Sequence, residues 1–360
     1  MTTMPAKMTP HYLSYSGGIA HDISLEGDRL RVQAREADVW SQWLLQEAPK
    51  RILKLTQIEG AQTRPDAERH ALAAIEAAFA LLPDHRTLDF SALQHLPELT
   101  ESGVLLPAAN GVQRACRDTL WQQPGLWLPK EQRPIALQYA LSEGKRHPVR
   151  APKPRGTLYQ RFIPWIGKTF TFRSFDLERD LPRFNRWMND PDVAHVWEEQ
   201  GDLDKHRSYI DAIDKDPHMY SMMASFDDEP FAYFETYWAK ESRIAPFYDA
   251  QDYDRGWHVL VGEPRFRGRA FATAWLTSIS HYLFLGDPRT NHAMGEPRID
   301  HLQQIRNLDK SGYSKLKEFD LPHKRALLVS MLRERYFTDA LWLPHDDNAP
   351  ISGQPRTAAL

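Results

Sequence analysis

The sequence predicts an α/β (α+β) chain in two parts, a smaller α/β unit followed by a larger one built on a mixed sheet. Three observations carry that expectation. From Phe170 onward the periodicities run strand, two helices, three strands, helix, strand, helix, two strands. Ahead of them, His147-Pro-Val-Arg-Ala-Pro-Lys-Pro154 is basic and proline-rich, and it can continue neither a helix nor a central strand. Finally, Gly256 to Trp275 (GWHVLVGEPRFRGRAFATAW) reads as a buried strand, a tight basic turn containing glycine, and the start of a helix.

Length and composition agree with two units. The chain has 360 residues, and single cores seldom grow past ~250–300. A formal net charge of −3 supplies no basic field for nucleic acid or an anionic membrane. No apolar run approaches the ~20 residues of a bilayer span, and the first residues, MTTMPAKMTPHYLSYSGG, lack a signal-peptide core. The expected compartment is therefore the cytoplasm. Cys116 stands alone, which excludes an internal disulfide and a multi-cysteine zinc site, and no metal is expected. The expected division is 1–155, 156–345 and a short tail, 346–360.

In the first part, residues 1–20 read as a polar lead-in with a turn at Gly17-Gly18. His21 to Arg35 alternates around Glu26-Gly-Asp28 and predicts a hairpin. Trp40 to Leu55 reads as a short helix and then a strand. Pro65 opens a helix over 66–82, with Ala71, Ala74, Ile75, Ala78, Phe79 and Leu82 on one stripe. Further helices are expected over 112–121 and 134–143. Nothing in this part discloses chemistry.

In the second part, Thr169 to Arg173 predicts a strand and Asp176 an N-cap, with Leu181, Phe184 and Trp187 on one helical face. Asn189-Asp-Pro191 stops that helix, 192–197 is a short turn, and 204–213 a second helix. Residues 220–225 and 231–238 form a hairpin around Asp227-Asp-Glu-Pro230. After the strand at 257–261, the loop Arg265-Phe-Arg-Gly-Arg-Ala270 opens a helix through Phe271, Trp275, Ile279 and Leu283. A glycine turn entering a helix presents unpaired N–H groups at a positive dipole end, which is an anion site. An ordinary turn with solvated arginines is the competing account. A strand near 293–296, a helix over 299–310 and a hairpin of 313–319 with 325–333 complete the chain.

This order, with Arg265-Phe-Arg-Gly-Arg-Ala270 after the central strand, resembles the GNAT acyl-CoA N-acyltransferases, whose pyrophosphate loop is written Q/R-x-x-G-x-G/A. Asn307-Leu-Asp-Lys-Ser-Gly-Tyr313 is similar to that family's region after its last helix. More narrowly, several segments resemble the acyltransferases of hydroxamate siderophore biosynthesis. They are Trp187-Met-Asn-Asp-Pro191, Trp197-Glu-Glu199, Glu235-Thr-Tyr-Trp238, Gly256-Trp-His258, Gly295-Glu-Pro297 and Phe319-Asp-Leu-Pro-His-Lys-Arg325. Those enzymes, of the aerobactin, alcaligin and desferrioxamine types, acylate N6-hydroxylysine, N-hydroxyputrescine or N-hydroxycadaverine, and the mycobactin lysine acyltransferase is similar. The resemblance spans residues 157–340.

It implies a splayed GNAT sheet, acyl-CoA (acetyl or succinyl) as co-substrate, and a small hydroxylamine as partner. The oligomeric state stays open, a homodimer included. His258 falls at the catalytic position and is expected as general base, where a satisfied core histidine is the alternative. Glu296 falls where the mycobactin-type enzyme carries an aspartate and would orient or assist that histidine, with Asp300 in reserve. Val259 and Val261 would offer backbone hydrogen bonds to the coenzyme. Arg265, Arg267, Gly268, Arg269, Ala270 and Phe271 would surround its phosphates. Glu235 and Tyr237 share one strand face and, with Trp238, suit an amine and its methylene chain. Asn189 and Trp197 would close the substrate side. A succinyl carboxylate would call for Arg243 or Lys240. A general amine or aminoglycoside-type acetyltransferase, or a non-catalytic acyl-CoA-binding module, are the other readings.

Overall fold

The structure, a computed structural model, describes residues 11–48, 52–60, 63–108, 111–130 and 134–344. The expected tail, 346–360, and the start of the lead-in lie outside the described residues.

The first sheet has eight strands. They are β1 (His11–Ser14), β2 (His21–Glu26), β3 (Arg29–Ala34), β4 (Trp40–Ala48), β5 (Ile52–Gly60), β6 (Thr87–Ser91), β7 (Leu105–Pro107) and β8 (Gln113–Cys116). Helices α1 (Arg64–Leu81), α2 (Pro97–Glu101) and α3 (Arg117–Leu120) belong to the same part. A two-stranded ribbon of β9 (Tyr139–Ser142) and β10 (Lys145–Pro148) follows. The second sheet holds β11 (Thr157–Ile163), β12 (Lys168–Ser174), β13 (Met219–Phe226), β14 (Glu229–Trp238), β15 (Arg255–Val261), β16 (His292–Gly295), β17 (Ser314–Leu321) and β18 (Lys324–Leu332). Its helices are α4 (Leu177–Met188), α5 (Pro191–Trp197), α6 (Leu203–Lys215), α7 (Arg269–Gly286), α8 (Leu302–Lys310) and α9 (Arg333–Thr338).

The two sheets share one plan. Strands run in order β1-β2-β3-β4-β5-β6-β8-β7 in the first and β11-β12-β13-β14-β15-β16-β18-β17 in the second. In each, the fifth and sixth strands are parallel and joined through a long helix, α1 or α7, while the other pairings are antiparallel. The second sheet differs chiefly by inserting α4, α5 and α6 between its second and third strands. The first part is thus an eight-stranded counterpart of the second, a repetition that no residue motif reveals.

Three local expectations yield to tertiary pairing. Residues 40–48 form a strand, with Ser41, Trp43 and Leu45 buried at period two, and pair with β3 and β5. The expected helix over 112–121 is the strand β8 plus one helical turn, and 139–142 of the expected helix at 134–143 is the strand β9. Apolar clusters in these stretches mimic a helical stripe, but partner strands satisfy their backbones instead. Residues 191–197 are a short helix, α5, with Asp190 as its cap.

Elsewhere local chemistry prevails. The Asp176 side chain accepts from Arg179 N at 3.0 Å and starts α4, which buries Leu181, Phe184, Trp187 and Met188. Alanines let α1 lie close against its sheet, and Ala71, Ala74 and Ala78 are fully buried.

A boundary near residue 155 remains our proposal for the division of the chain. The apolar core nonetheless runs through both sheets. Trp121 stacks between Trp127 and Trp342 at 4.6 and 4.5 Å, and buried His281 donates from Nε2 to the Trp121 carbonyl (2.7 Å) and meets Tyr159 Oη at Nδ1 (2.9 Å). Trp121 and Trp127, which follow the first sheet, therefore pack against His281 on α7, the helix that frames the site.

Candidate active site

β15 is the hinge of the site. Along one edge it pairs with β14 over its whole length, setting His258 opposite Glu235. Along the other it pairs with β16 only at Arg255↔Ala293 and Gly256↔Met294, after which the two strands part. Gly256 is required there: a Cβ would come within 2.2 Å of the Tyr237 ring. Gly262 admits the Trp187 indole in the same way, at 2.1 Å. The parted strands open a cleft of about 1360 Å3. That exceeds the roughly 300–1,000 Å3 of ordinary small-molecule pockets and leaves room for two substrates.

His258 lies in the cleft between two buried carboxylates. Glu235 Oε2 meets its Nδ1 at 2.8 Å, and Glu296 Oε1 meets its Nε2 at 2.8 Å. Side-chain exposure is 24% for the histidine against 3% and 1% for the acids. Burial alone would push the imidazole pKa down, but the Glu296 charge, with the bonds to Glu235 and Glu296, carries it up to about 9. Burial likewise opposes ionisation of Glu296, yet the His258 charge and hydrogen bond hold it well below the usual carboxylate range. Glu235 is lowered in the same fashion. Near neutral pH the centre is therefore an imidazolium clamped by two carboxylates.

Tyrosines complete the clamp. Tyr237 Oη donates to Glu296 Oε2 at 2.7 Å, while Tyr209 and Tyr233 donate to Glu235 Oε1 at 2.5 and 3.1 Å. Of the residues expected to meet an amine tail, Glu235 thus spends its oxygens on His258, Tyr209 and Tyr233, and Tyr237 its hydroxyl on Glu296. Tyr233 shares Glu235's face by period two and was legible on that ground, whereas Tyr209 comes from α6 and carries no local signal.

The remaining expected residues divide. Val259, Val261, Arg267, Gly268, Arg269 and Trp197 line the cleft. Gly262 N reaches back to Phe231 O at 2.9 Å, so by strand alternation Val259 and Val261 turn their backbone groups to the open edge. From that side Arg267 Nη2 takes Val261 O at 3.0 Å, and its Nη1 meets Asp192 at 3.1 Å. Arg265 pairs with Glu229 away from the cleft. Ala270 and Phe271 enter only through the first turn of α7, the Phe271 ring packing on Phe226 and Phe266. Asn189 grips Gly201 through both amide atoms, at 2.7 and 3.0 Å, and so pins the segment after Trp197. Trp238 lies outside the cleft between Arg150 (4.2 Å) and Arg255 (4.9 Å). Asp300 is exposed and pairs with Arg298 at 3.2 Å, away from His258. Among the described residues no cluster of His, Cys, Asp and Glu is arranged to hold a metal, and no helix is long and apolar enough to cross a membrane.

One cleft thus joins a parted parallel strand pair, the glycine turn at the head of α7 and a clamped histidine. Residues 176–321 match the acetyltransferase (GNAT) domain family. The N(6)-hydroxylysine O-acetyltransferase of Escherichia coli is 39% identical over 225 residues, 62% of this chain and 71% of that one. The chain belongs to the GNAT acyltransferase family. Two fungal proteins are also similar. The N(5)-hydroxyornithine:cis-anhydromevalonyl coenzyme A-N(5)-transacylase of Beauveria bassiana is 46% identical over 195 residues, 53% of this chain and 43% of that one. The hydroxyornithine transacylase of Ajellomyces capsulatus is 43% identical over 221 residues, 58% of this chain and 50% of that one. The chain thus spans about half the length of these fungal relatives.

Proposed function

We propose that this enzyme transfers an acetyl or succinyl group from acyl-CoA to the hydroxylamine nitrogen of N6-hydroxylysine or an N-hydroxylated diamine, in the cytoplasm, forming the hydroxamate of a siderophore. One observation carries the reading: His258, held by Glu235 and Glu296, sits in a cleft that Arg267, Gly268 and Arg269 at the head of α7 also line. The names of the three relatives, each an acyltransferase acting on a hydroxylated basic amino acid, support the acceptor class.

The chemistry follows from the residues. The open edge offers the backbone groups of Val259 and the N–H of Val261, whose carbonyl Arg267 already holds, to an extended thioester arm, and the first turn of α7 offers N–H groups and a dipole to phosphates. The nucleophilic nitrogen bonds to the acyl carbon, the C–S bond breaks, and the nitrogen's proton leaves through the Glu296–His258 pair toward the departing thiolate. A hydroxylamine is less basic than an alkyl amine and arrives mostly neutral, so one proton transfer suffices. In the resting clamp both imidazole nitrogens are protonated and bonded, so His258 accepts a proton only after Nε2 has lost its own.

The test is a thiol-release assay crossing acetyl- and succinyl-CoA with N6-hydroxylysine, N-hydroxyputrescine and N-hydroxycadaverine. Product that colours with ferric iron marks N-acylation, since an O-acyl product offers no hydroxamate. No thiol release with any pair would refute the reading. A second expectation tests the loop. Gly268 has extended backbone, and a Cβ there meets no atom within 4 Å. Gly268→Asp should fold normally and raise the acyl-CoA KM by about tenfold or more, by setting a negative charge beside phosphates. Unchanged coenzyme affinity by calorimetry would remove this loop from the site.

A further inference from the structure

Two arginines that line the cleft are ion-paired. Arg267 meets Asp192 at 3.1 Å, and Arg298 meets Glu198 at 3.0 Å and Asp300 at 3.2 Å. Beside the catalytic centre the pattern changes. Arg243, His323 and Lys324 line the cleft next to Glu296. The carboxylate of Glu296 is already engaged by His258 at 2.8 Å and Tyr237 at 2.7 Å, and Arg243 Nη2 makes a looser ion pair with it at 3.5 Å. Lys324 Nζ donates to the main-chain carbonyl of Glu296 at 2.7 Å rather than to its carboxylate. These basic groups also press on each other. Burial lowers the Lys324 pKa, Glu296 opposes this, and Arg243 and Arg298 add to the lowering. His323 is lowered by burial and then by Arg243 and Lys324. Lys240, the other candidate for an acyl carboxylate, donates to Ala250 O at 2.6 Å and does not line the cleft.

Positive groups gathered against one already-bonded carboxylate are arranged for an incoming anion. The planar fork of Arg243 and the point charge of Lys324 suit a carboxylate. We propose that Arg243 and Lys324, with His323 at their side, form a carboxylate-recognition subsite, so that one of the two substrates carries a carboxylate beyond its reacting group. This rests on the acyl-transfer reading above. It admits two sources, an N-hydroxylated amino acid as acceptor or a dicarboxylic acyl donor such as succinyl-CoA. A decarboxylated diamine paired with acetyl-CoA would leave the subsite unused.

The experiment has one arm for each source. In the acceptor arm, kcat/KM is measured for N6-hydroxylysine against N-hydroxycadaverine, which has the same chain without the carboxylate, with acetyl-CoA as donor. In the donor arm, succinyl-CoA is compared with acetyl-CoA, with N-hydroxycadaverine as acceptor. The wild type should prefer the carboxylate-bearing partner in one arm by about 10–100-fold, the range of a charged hydrogen bond. Arg243→Met and Lys324→Met should each collapse that ratio toward one. The ratio is informative even if a substitution slows both reactions equally, and Arg243→Lys should restore part of it. Wild-type ratios within twofold in both arms, or a preference that survives both substitutions, would overturn the subsite. If no pair releases thiol, the transfer reading fails. Calorimetry of the same ligand pairs, without turnover, then still decides the subsite by whether the carboxylate improves binding and Arg243→Met abolishes the gain.

Discussion

His258→Ala should lower kcat by about 10²–10⁴-fold, the worth of a positioned proton-transfer group. With a hydroxylamine acceptor the loss should fall in the lower half of that range, because the nitrogen arrives without an extra proton. Acyl-CoA affinity should hardly change, since Val259, Val261 and the head of α7 present backbone rather than the imidazole. The variant also removes the cation from between Glu235 and Glu296, both nearly fully buried. Breaking a buried pair from one side costs about 3–5 kcal/mol, so a lower melting temperature should accompany the lost turnover. His258→Gln, which keeps hydrogen-bonding atoms near both acids, separates the two effects: it should recover part of the stability and little of the rate. Full turnover in either variant, measured by thiol release, would show the histidine to be packing alone.

Glu296→Gln should lower kcat by about 10²-fold, less than the histidine change, and should move the pH–rate profile in a defined direction. The direction follows from the clamp. Among the groups that raise the His258 pKa, the Glu296 charge is the largest, and together they carry it to about 9. The imidazole must lose its proton before it can accept one from the nucleophile. Wild-type rate should therefore climb with pH through neutrality toward about 9. Removing the Glu296 charge lowers the imidazole pKa, so the rising limb of Glu296→Gln should lie at lower pH. A profile that does not move, with kcat preserved, would mean that Glu296 acts only as a scaffold for Tyr237.

Much of the second sheet was legible because its signals are local. The hairpin of β13 and β14 announces itself through Asp227-Asp-Glu-Pro230, and the Asp176 cap starts α4. The passage from Trp257 through Gly268 into α7 is readable as strand, turn and helix. Trp40 to Gly60 was not legible as a hairpin. Its tryptophans and leucines fit a helical stripe as well as a pleat, and the choice was made by β3, which supplies the missing backbone partners.

For the site, sequence determined the identities: a histidine within an apolar strand, glutamates at 235 and 296, and a glycine-arginine turn. Tertiary structure decided what those residues are. Strand register sets Glu235 across from His258, and the parting of β15 from β16 brings Glu296 to the other imidazole nitrogen. That geometry turns an expected free base into a clamped imidazolium and engages Glu235 with the histidine and Tyr237 with Glu296. It likewise gathers Arg243 and Lys324, far apart in the chain, beside Glu296. Periodicity and turn chemistry act over a few neighbouring residues, so the chain encodes them locally. A protonation state depends on charges brought within a few ångströms from distant segments, and only the folded sheet brings them there.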